Sequence, residues 1–185
     1  MPEYKFKRTE ITTEDEIRAI INEAGTSWMK CLLAMLYLVG CRISEALNLR
    51  KRNVWTDERS LVLEIGVLKR RDTRKGPYEN VPHLIHVSLN SPFVKEYILP
   101  YLEVIQDRDR KLFPRTRQAV WYKLKKLMAD ISPHVFRHDR LMKLAMRGAT
   151  EAQLMDWAGW TDTRPAGSYI RATGRLASEL ADKVD

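Results

Sequence analysis

Six side chains in this sequence could together hold an anion and move a proton. Arg42 lies in Gly40-Cys41-Arg42-Ile43-Ser44-Glu45-Ala46-Leu47, at the mouth of a helix, with Glu45 three residues on. Lys69 falls in the basic segment Ile65-Gly66-Val67-Leu68-Lys69-Arg70-Arg71. His134-Val135-Phe136-Arg137-His138 puts His134 and Arg137 on one helical face at i, i+3. Trp160 closes Trp157-Ala158-Gly159-Trp160, and Tyr169 follows nine residues later. The two guanidiniums are planar, permanently charged forks that suit the oxygens of an anion. Imidazole, ammonium and phenol can each give or take a proton, whereas an indole can only donate a hydrogen bond. No cluster of carboxylates of the kind a two-metal site needs accompanies them. Each piece alone has a plain structural use: Arg42 with Glu45 as a surface ion pair, Trp160 as core, Tyr169 as one of seven tyrosines.

The charge around these residues is uneven. The chain has 185 residues and a net charge of +8. Residues 107–147 carry twelve basic and four acidic side chains, and residues 42–75 carry ten and five, so the rest of the chain is net acidic. Two basic blocks on a mildly acidic background point to a polyanionic partner, with solvated helix faces as the plainer alternative. Hydrophobic residues make up 44%, enough for a core and against disorder throughout. Cys31 and Cys41 form neither a disulfide framework nor a zinc quartet. The opening MPEYKFKRTE has no apolar signal region, and the apolar run from Trp28 to Val39 is too short to span a bilayer. A basic domain of a reducing compartment, without a membrane partner, is expected.

The elements that must position these groups are legible in outline. Thr13-Glu14-Asp15-Glu16 is a capping-box pattern opening a helix that ends near Gly25. Ser27 to Val39 is almost wholly apolar and reads as a buried central helix stopped by Gly40. A short helix through Ser44–Leu49 follows. Leu61–Ile65 and Leu84–Leu89 read as strands flanking the basic segment Lys69 to Pro82. Ser91-Pro92 starts another helix, and helical patterns recur near 117–129, 134–147, 151–158 and 165–172, the last carrying Tyr169. The fold expected is mainly α with a small antiparallel β-sheet, an α+β arrangement.

In this order, the set resembles the catalytic domain of the tyrosine recombinases: phage integrases, Cre-like and Xer-like enzymes, and archaeal viral integrases. That family's pattern is an Arg in a G-x-R-x-S-E-like turn, a Lys in a β-hairpin, H-x-x-R, then His or Trp, then Tyr. Arg42, Lys69, His134, Arg137, Trp160 and Tyr169 match it in order, and Glu45 matches the acidic residue that supports the first Arg. The likeness runs from about Thr12 to the C-terminus. Two positions depart from the common pattern: Trp160 stands where most members have His, and Asp139 replaces a small or hydroxyl residue after the Arg-His pair.

The resemblance implies site-specific recombination or integration of DNA by transesterification, through a 3′-phosphotyrosyl link, with no metal, ATP or other cofactor. Tyr169 would be the nucleophile, Arg42 and Arg137 the clamp on the nonbridging oxygens, and Lys69, rather than Lys75, the general acid. His134 would accept the Tyr169 proton or bind the phosphate, and Trp160 would donate a hydrogen bond and pack the site. Arg70, Arg71, Arg115, Arg117, Lys123, Lys125 and Lys126 would hold the backbone of double-stranded DNA, positioning it without reading its sequence. A tetramer on paired DNA sites is implied, as is a cytoplasmic, nucleoid-associated protein of prokaryotic, viral or plasmid origin.

Residues 1–185 are expected to be a single catalytic domain with 1–11 as an N-terminal extension. The family's N-terminal DNA-clamp domain is expected to be absent. Leu176, Leu180 and Val184 predict a short apolar-striped tail helix at 175–185 that docks on a neighbouring protomer. The rival readings are a type IB topoisomerase-like nicking-closing enzyme, a hairpin telomere resolvase, and a non-catalytic DNA-binding module. His83 and His86, taken as sharing one strand face, are a weak metal pair with no third ligand in sight.

Overall fold

A computed structural model describes residues 13–66, 83–127 and 133–174. Lys69, Arg70, Arg71, Lys75 and the tail 175–185 lie outside the described residues.

Helix α1 (Glu14–Glu23) begins as its sequence dictates. The Glu16 N–H donates to Thr13 Oγ1 at 3.2 Å, and the Thr13 N–H donates to the Glu16 carboxylate at 2.9 Å. Helix α2 (Ser27–Val39) is apolar on all sides and runs through the centre, with Met29, Leu32, Leu33, Met35 and Leu36 fully buried. Burying each such side chain contributes roughly 1.5–3 kcal/mol, which makes α2 the frame of the molecule. It stops at Gly40 in the left-handed region, φ +67°. A side chain there would be strained twice, since a Cβ would also come within 2.9 Å of the Arg140 Cβ.

Helix α3 (Ile43–Asn48) follows at once, and the chain then forms a three-stranded antiparallel sheet. Its strands β1 (Val54–Thr56), β2 (Ser60–Ile65) and β3 (His83–Ser88) lie in chain order. The register pairs Leu61 with Val87, Leu63 with Ile85 and Ile65 with His83, so one apolar face turns to the core. Strand β1 was not foreseen: three residues with a single buried one, Val54, leave no alternation to read. β3 starts one residue earlier than expected, which brings His83 into the ladder.

The helix after Ser91-Pro92 is not uniform. Val94–Ile98 forms a wide π turn before α4 (Leu99–Glu103). Pro100 has no N–H to return to the carbonyl four residues back, and the Leu99 N–H reaches Val94 O instead. Helices α5 (Arg117–Leu127), α6 (Pro133–Met146), α7 (Glu151–Ala158) and α8 (Arg164–Ala172) complete the described fold, close to their expected bounds.

Two apolar clusters hold these elements. The larger surrounds α2 and takes in α1, α3, the sheet, α4, α5 and Phe136 of α6. The smaller consists of Leu141, Ala145, Leu154, Ala158, Ala166 and Ile170, where α6, α7 and α8 meet, and Trp157 packs against both. No helix among the described residues is long and apolar enough to cross a membrane.

Candidate active site

The site forms where three helix ends converge on α6. At the start of α3, Glu45 is buried and its carboxylate turns back on Arg42, accepting the backbone N–H at 2.7 Å and Nη1–H at 2.6 Å. Arg42 itself stays about one-third exposed, so Glu45 fixes the guanidinium from below and leaves its outer donors open. The i, i+3 spacing read from the sequence is what lets the carboxylate reach both donors.

Arg137 is held from the opposite side. It is 9% exposed, and its guanidinium donates to Gly40 O at 3.1 Å and to Ala158 O at 2.8 Å. Those oxygens lie at the C-terminal ends of α2 and α7, where carbonyls lack intrahelical partners and carry partial negative charge. Trp157 reinforces the junction by donating its indole N–H to Val39 O at 2.8 Å. Two of the five Arg137 N–H groups are thus used by the fold, and three remain for a ligand. Burial, and then the neighbouring Arg42, press the Arg137 guanidinium below its ordinary pKa. Two cations held together in this way favour an anion placed between them.

His134, one turn before Arg137, belongs to the same cluster. Burial first, then Arg117, Arg137 and Arg42, hold its pKa below the ordinary histidine value. Arg117, exposed at the start of α5, is thus near enough to act on His134 through its charge. The other α5-region cations have a different setting. Arg115 and Lys123 lie over the Trp28 ring, at 5.4 and 5.0 Å from its centroid, and Lys125 lies over Trp121 at 5.7 Å. Lys126 is exposed.

Trp160 follows Gly159, whose left-handed φ of 62° ends α7 and turns the chain toward the cluster. The Trp160 ring contacts both the Arg137 guanidinium, 5.4 Å from its centroid, and the Tyr169 ring, stacked at 5.9 Å. Tyr169 is half-buried on α8 and also packs against His138, with centroids 5.2 Å apart. Its hydroxyl lies 3.1 Å from His138 Nδ1. Arg42, Arg137, His134, Trp160 and Tyr169 thus share one locality, although Arg42 and Tyr169 are separated by most of the chain.

His138 was missed as a functional candidate. The sequence offered one signal, its place directly after Arg137, but a neighbouring residue on a helix is turned about 100° away and need not share a site. The other correction concerns His83 and His86. Three positions apart on β3, they face opposite sides of the sheet. His86 is exposed near Asp57, at 3.5 Å. His83 is half-buried against the Trp157 backbone, and burial, opposed by Glu45 and Asp156, lowers its pKa. Among the described residues, no group of three or more His, Cys, Asp or Glu side chains is placed to hold a metal. The two cysteines are inert by position: burial pushes the Cys41 thiol up to about 12 and the Cys31 thiol higher still.

Comparison with known proteins bears on the family and the fold. The phage integrase family model matches residues 10–175. The chain is 28% identical over 185 residues to the tyrosine recombinase XerA of Pyrococcus horikoshii, covering 93% of this chain and 60% of that protein. It is 27% identical to a tyrosine recombinase of Thermosipho africanus, covering 99% and 64%. The chain therefore spans less than two-thirds of the length of these curated relatives. Among solved structures, the fold is similar to the XerA recombinase, with a TM-score of 0.61 at 17% identity over 93% of this chain and 64% of that one. It is also similar to the XerH site-specific recombinase in a post-cleavage complex with a palindromic difH substrate, with a TM-score of 0.69 at 11% identity, covering 92% and 52%. With a family match across nearly the whole chain and the same fold in its solved neighbours, this protein belongs to the phage integrase family and carries the catalytic-domain fold of the tyrosine recombinases.

Proposed function

We propose that this chain is the catalytic domain of a site-specific DNA recombinase that cuts and rejoins strands through a 3′-phosphotyrosyl intermediate. The observation that carries this reading is the single cluster in which Tyr169 stacks on Trp160 and Trp160 contacts Arg137. In the proposed step, the Tyr169 oxygen attacks the scissile phosphorus and loses its proton. The P–O5′ bond breaks, and the departing 5′-oxygen takes a proton from Lys69. Arg42 and Arg137 hold the nonbridging oxygens, where negative charge builds up in the transition state. His134, among three arginines and with its proton loosened, suits a hydrogen bond to the same phosphate. Rejoining is the reverse, with a 5′-hydroxyl attacking the phosphotyrosine. The bond energy stays in the protein–DNA link, so this sequence of steps calls for neither ATP nor a metal.

The partner is double-stranded DNA carrying a recombination site. Arg117 would meet the phosphates nearest the reacting one, Arg115, Lys123, Lys125 and Lys126 would hold the flanking backbone, and Arg70 and Arg71, next to Lys69 in the sequence, would hold the duplex beside the cut. Synapsis of two sites requires a tetramer, with the tail 175–185 docking between protomers. The test is a suicide substrate nicked beside the cleavage point, offered as a panel of candidate attachment sites. A covalent adduct mapped to Tyr169 is expected. DNA binding with no adduct on any duplex would replace this reading with a non-catalytic DNA-binding module.

A further inference from the structure

We propose that His138 is the general base that takes the proton from Tyr169 during strand cleavage. This rests on the functional reading above and adds to it a residue that the sequence pattern did not single out. General-base catalysis needs a nitrogen within about 2.6–3.2 Å of the hydroxyl it deprotonates. His138 Nδ1 lies 3.1 Å from Tyr169 Oη, and the two rings pack 5.2 Å apart, so the contact is fixed by packing as well as by the hydrogen bond.

The helix explains the division of labour. Arg137 and His138 are successive on α6, so their side chains leave it in directions about 100° apart. Arg137 turns to the α2 and α7 carbonyls and the Trp160 ring, and His138 turns to α8. His134 lies one turn earlier, where burial first and then the charges of Arg117, Arg137 and Arg42 weaken it as a proton acceptor and suit it to the phosphate. In the step itself, the Tyr169 Oη–H bond breaks and its electron pair forms the O–P bond. The proton passes to the lone pair of His138 Nδ1, giving an imidazolium. The P–O5′ pair leaves on the 5′-oxygen, protonated by Lys69. On rejoining, the imidazolium returns its proton to the departing phenolate.

The test uses the suicide substrate with His138→Asn and His138→Ala, scoring adduct formation per DNA-bound protein. Asn keeps a hydrogen-bond acceptor near the position of Nδ1 but cannot take up the proton. Both variants should bind DNA as the unmodified chain does and cleave about 10²–10⁴-fold more slowly. Added imidazole should restore part of the His138→Ala rate and leave the unmodified chain unaffected. DNA with a 5′-bridging sulfur, whose thiolate leaves without a proton, should rescue Lys69→Ala and leave His138→Asn slow. Full activity in His138→Asn would reduce His138 to a positioning residue, and activity within twofold in both variants would overturn the inference altogether. If one variant does not fold, the other decides by the same readouts. Failure of the unmodified chain to form any adduct would instead overturn the recombinase reading, so the two failures are distinguishable.

Discussion

Helices α2 and α8 border the same candidate site, yet they are held there very differently. Nine of the thirteen residues of α2 are buried, most of them Leu, Met or Val, inside the larger apolar cluster. Of the nine residues of α8, only Ala166, Gly167 and Ile170 are buried, and of these Ala166 and Ile170 join the small cluster that α6 and α7 complete. Apolar stabilisation scales with buried area, and Ala and Gly bury little. The cations that would hold a phosphate are therefore built onto the frame: Arg137 is tied to the last turn of α2, and Arg42 follows it directly in the chain. The tyrosine rides on a helix that costs much less to shift. A rigid pair of arginines and a more lightly held Tyr169 would suit the proposed reaction, in which the tyrosine oxygen must move onto phosphorus while its proton passes to His138.

The sharpest test of the comparison separates chemistry from packing. Tyr169→Phe should abolish covalent capture of DNA while leaving binding and thermal stability nearly unchanged. It removes one oxygen and keeps the ring that stacks on Trp160. Adduct formed by Tyr169→Phe in the suicide-substrate assay would assign the nucleophile elsewhere.

Next in size are the two arginines proposed to clamp the phosphate. Arg42→Ala and Arg137→Ala should each slow cleavage by about 10²-fold or more. They should also cost stability, because each strands a partner: Glu45 loses its guanidinium, and the Gly40 and Ala158 carbonyls lose their donor. A buried group left unpaired costs roughly 1–3 kcal/mol. Denaturant unfolding beside single-turnover cleavage reads both effects. An Arg137→Ala chain as stable as the original would show that those carbonyls do not need it.

Hydrogen exchange addresses the two helices directly. Amides in the middle of α2 should exchange only by global unfolding, whereas α8 amides should exchange through a smaller opening. Leu32→Ala should cost about 2–5 kcal/mol and lower protection throughout the larger cluster. Ile170→Ala should lower protection in α8 and leave that of α2 unchanged. Equal protection of α2 and α8 in the unmodified chain would break the comparison.

The smallest expected effect is on pH. Burial holds the His83 and His134 pKa values below their unfolded ones, so the unfolded chain takes up their protons first as pH falls. Stability should be level above about pH 6.5 and fall as the pH drops from there toward the lower folded values. His83→Gln should flatten part of that slope in denaturant midpoints measured between about pH 7.5 and 5. An unchanged slope would mean that His83 protonates as readily folded as unfolded.

Much of this was legible in residues that are close in sequence. Thr13 and Glu16 announce their own capping box, and Gly40 ends an unbroken apolar run. Glu45 is spaced to reach Arg42. The short strand β1 was not legible, because three residues contain too little alternation to register. His83 and His86 were misjudged because three positions on a strand is an odd step, which changes face. His138 was not legible because its contact is with a partner 31 residues away.

By itself the sequence determined the helices, the second and third strands, the order of the reactive residue types and the family to which the chain belongs. Those features are carried by periodicity, caps and motif order, each settled within a few residues of chain. Tertiary structure alone decided that Arg137 is fastened to a carbonyl 97 residues earlier, that Trp160 meets both Arg137 and Tyr169, and that the Tyr169 hydroxyl meets His138. The physical reason is that hydrogen bonds and ring contacts depend on ångström distances between helix ends. Those distances are set by how the two apolar clusters pack, and no local pattern along the chain encodes them.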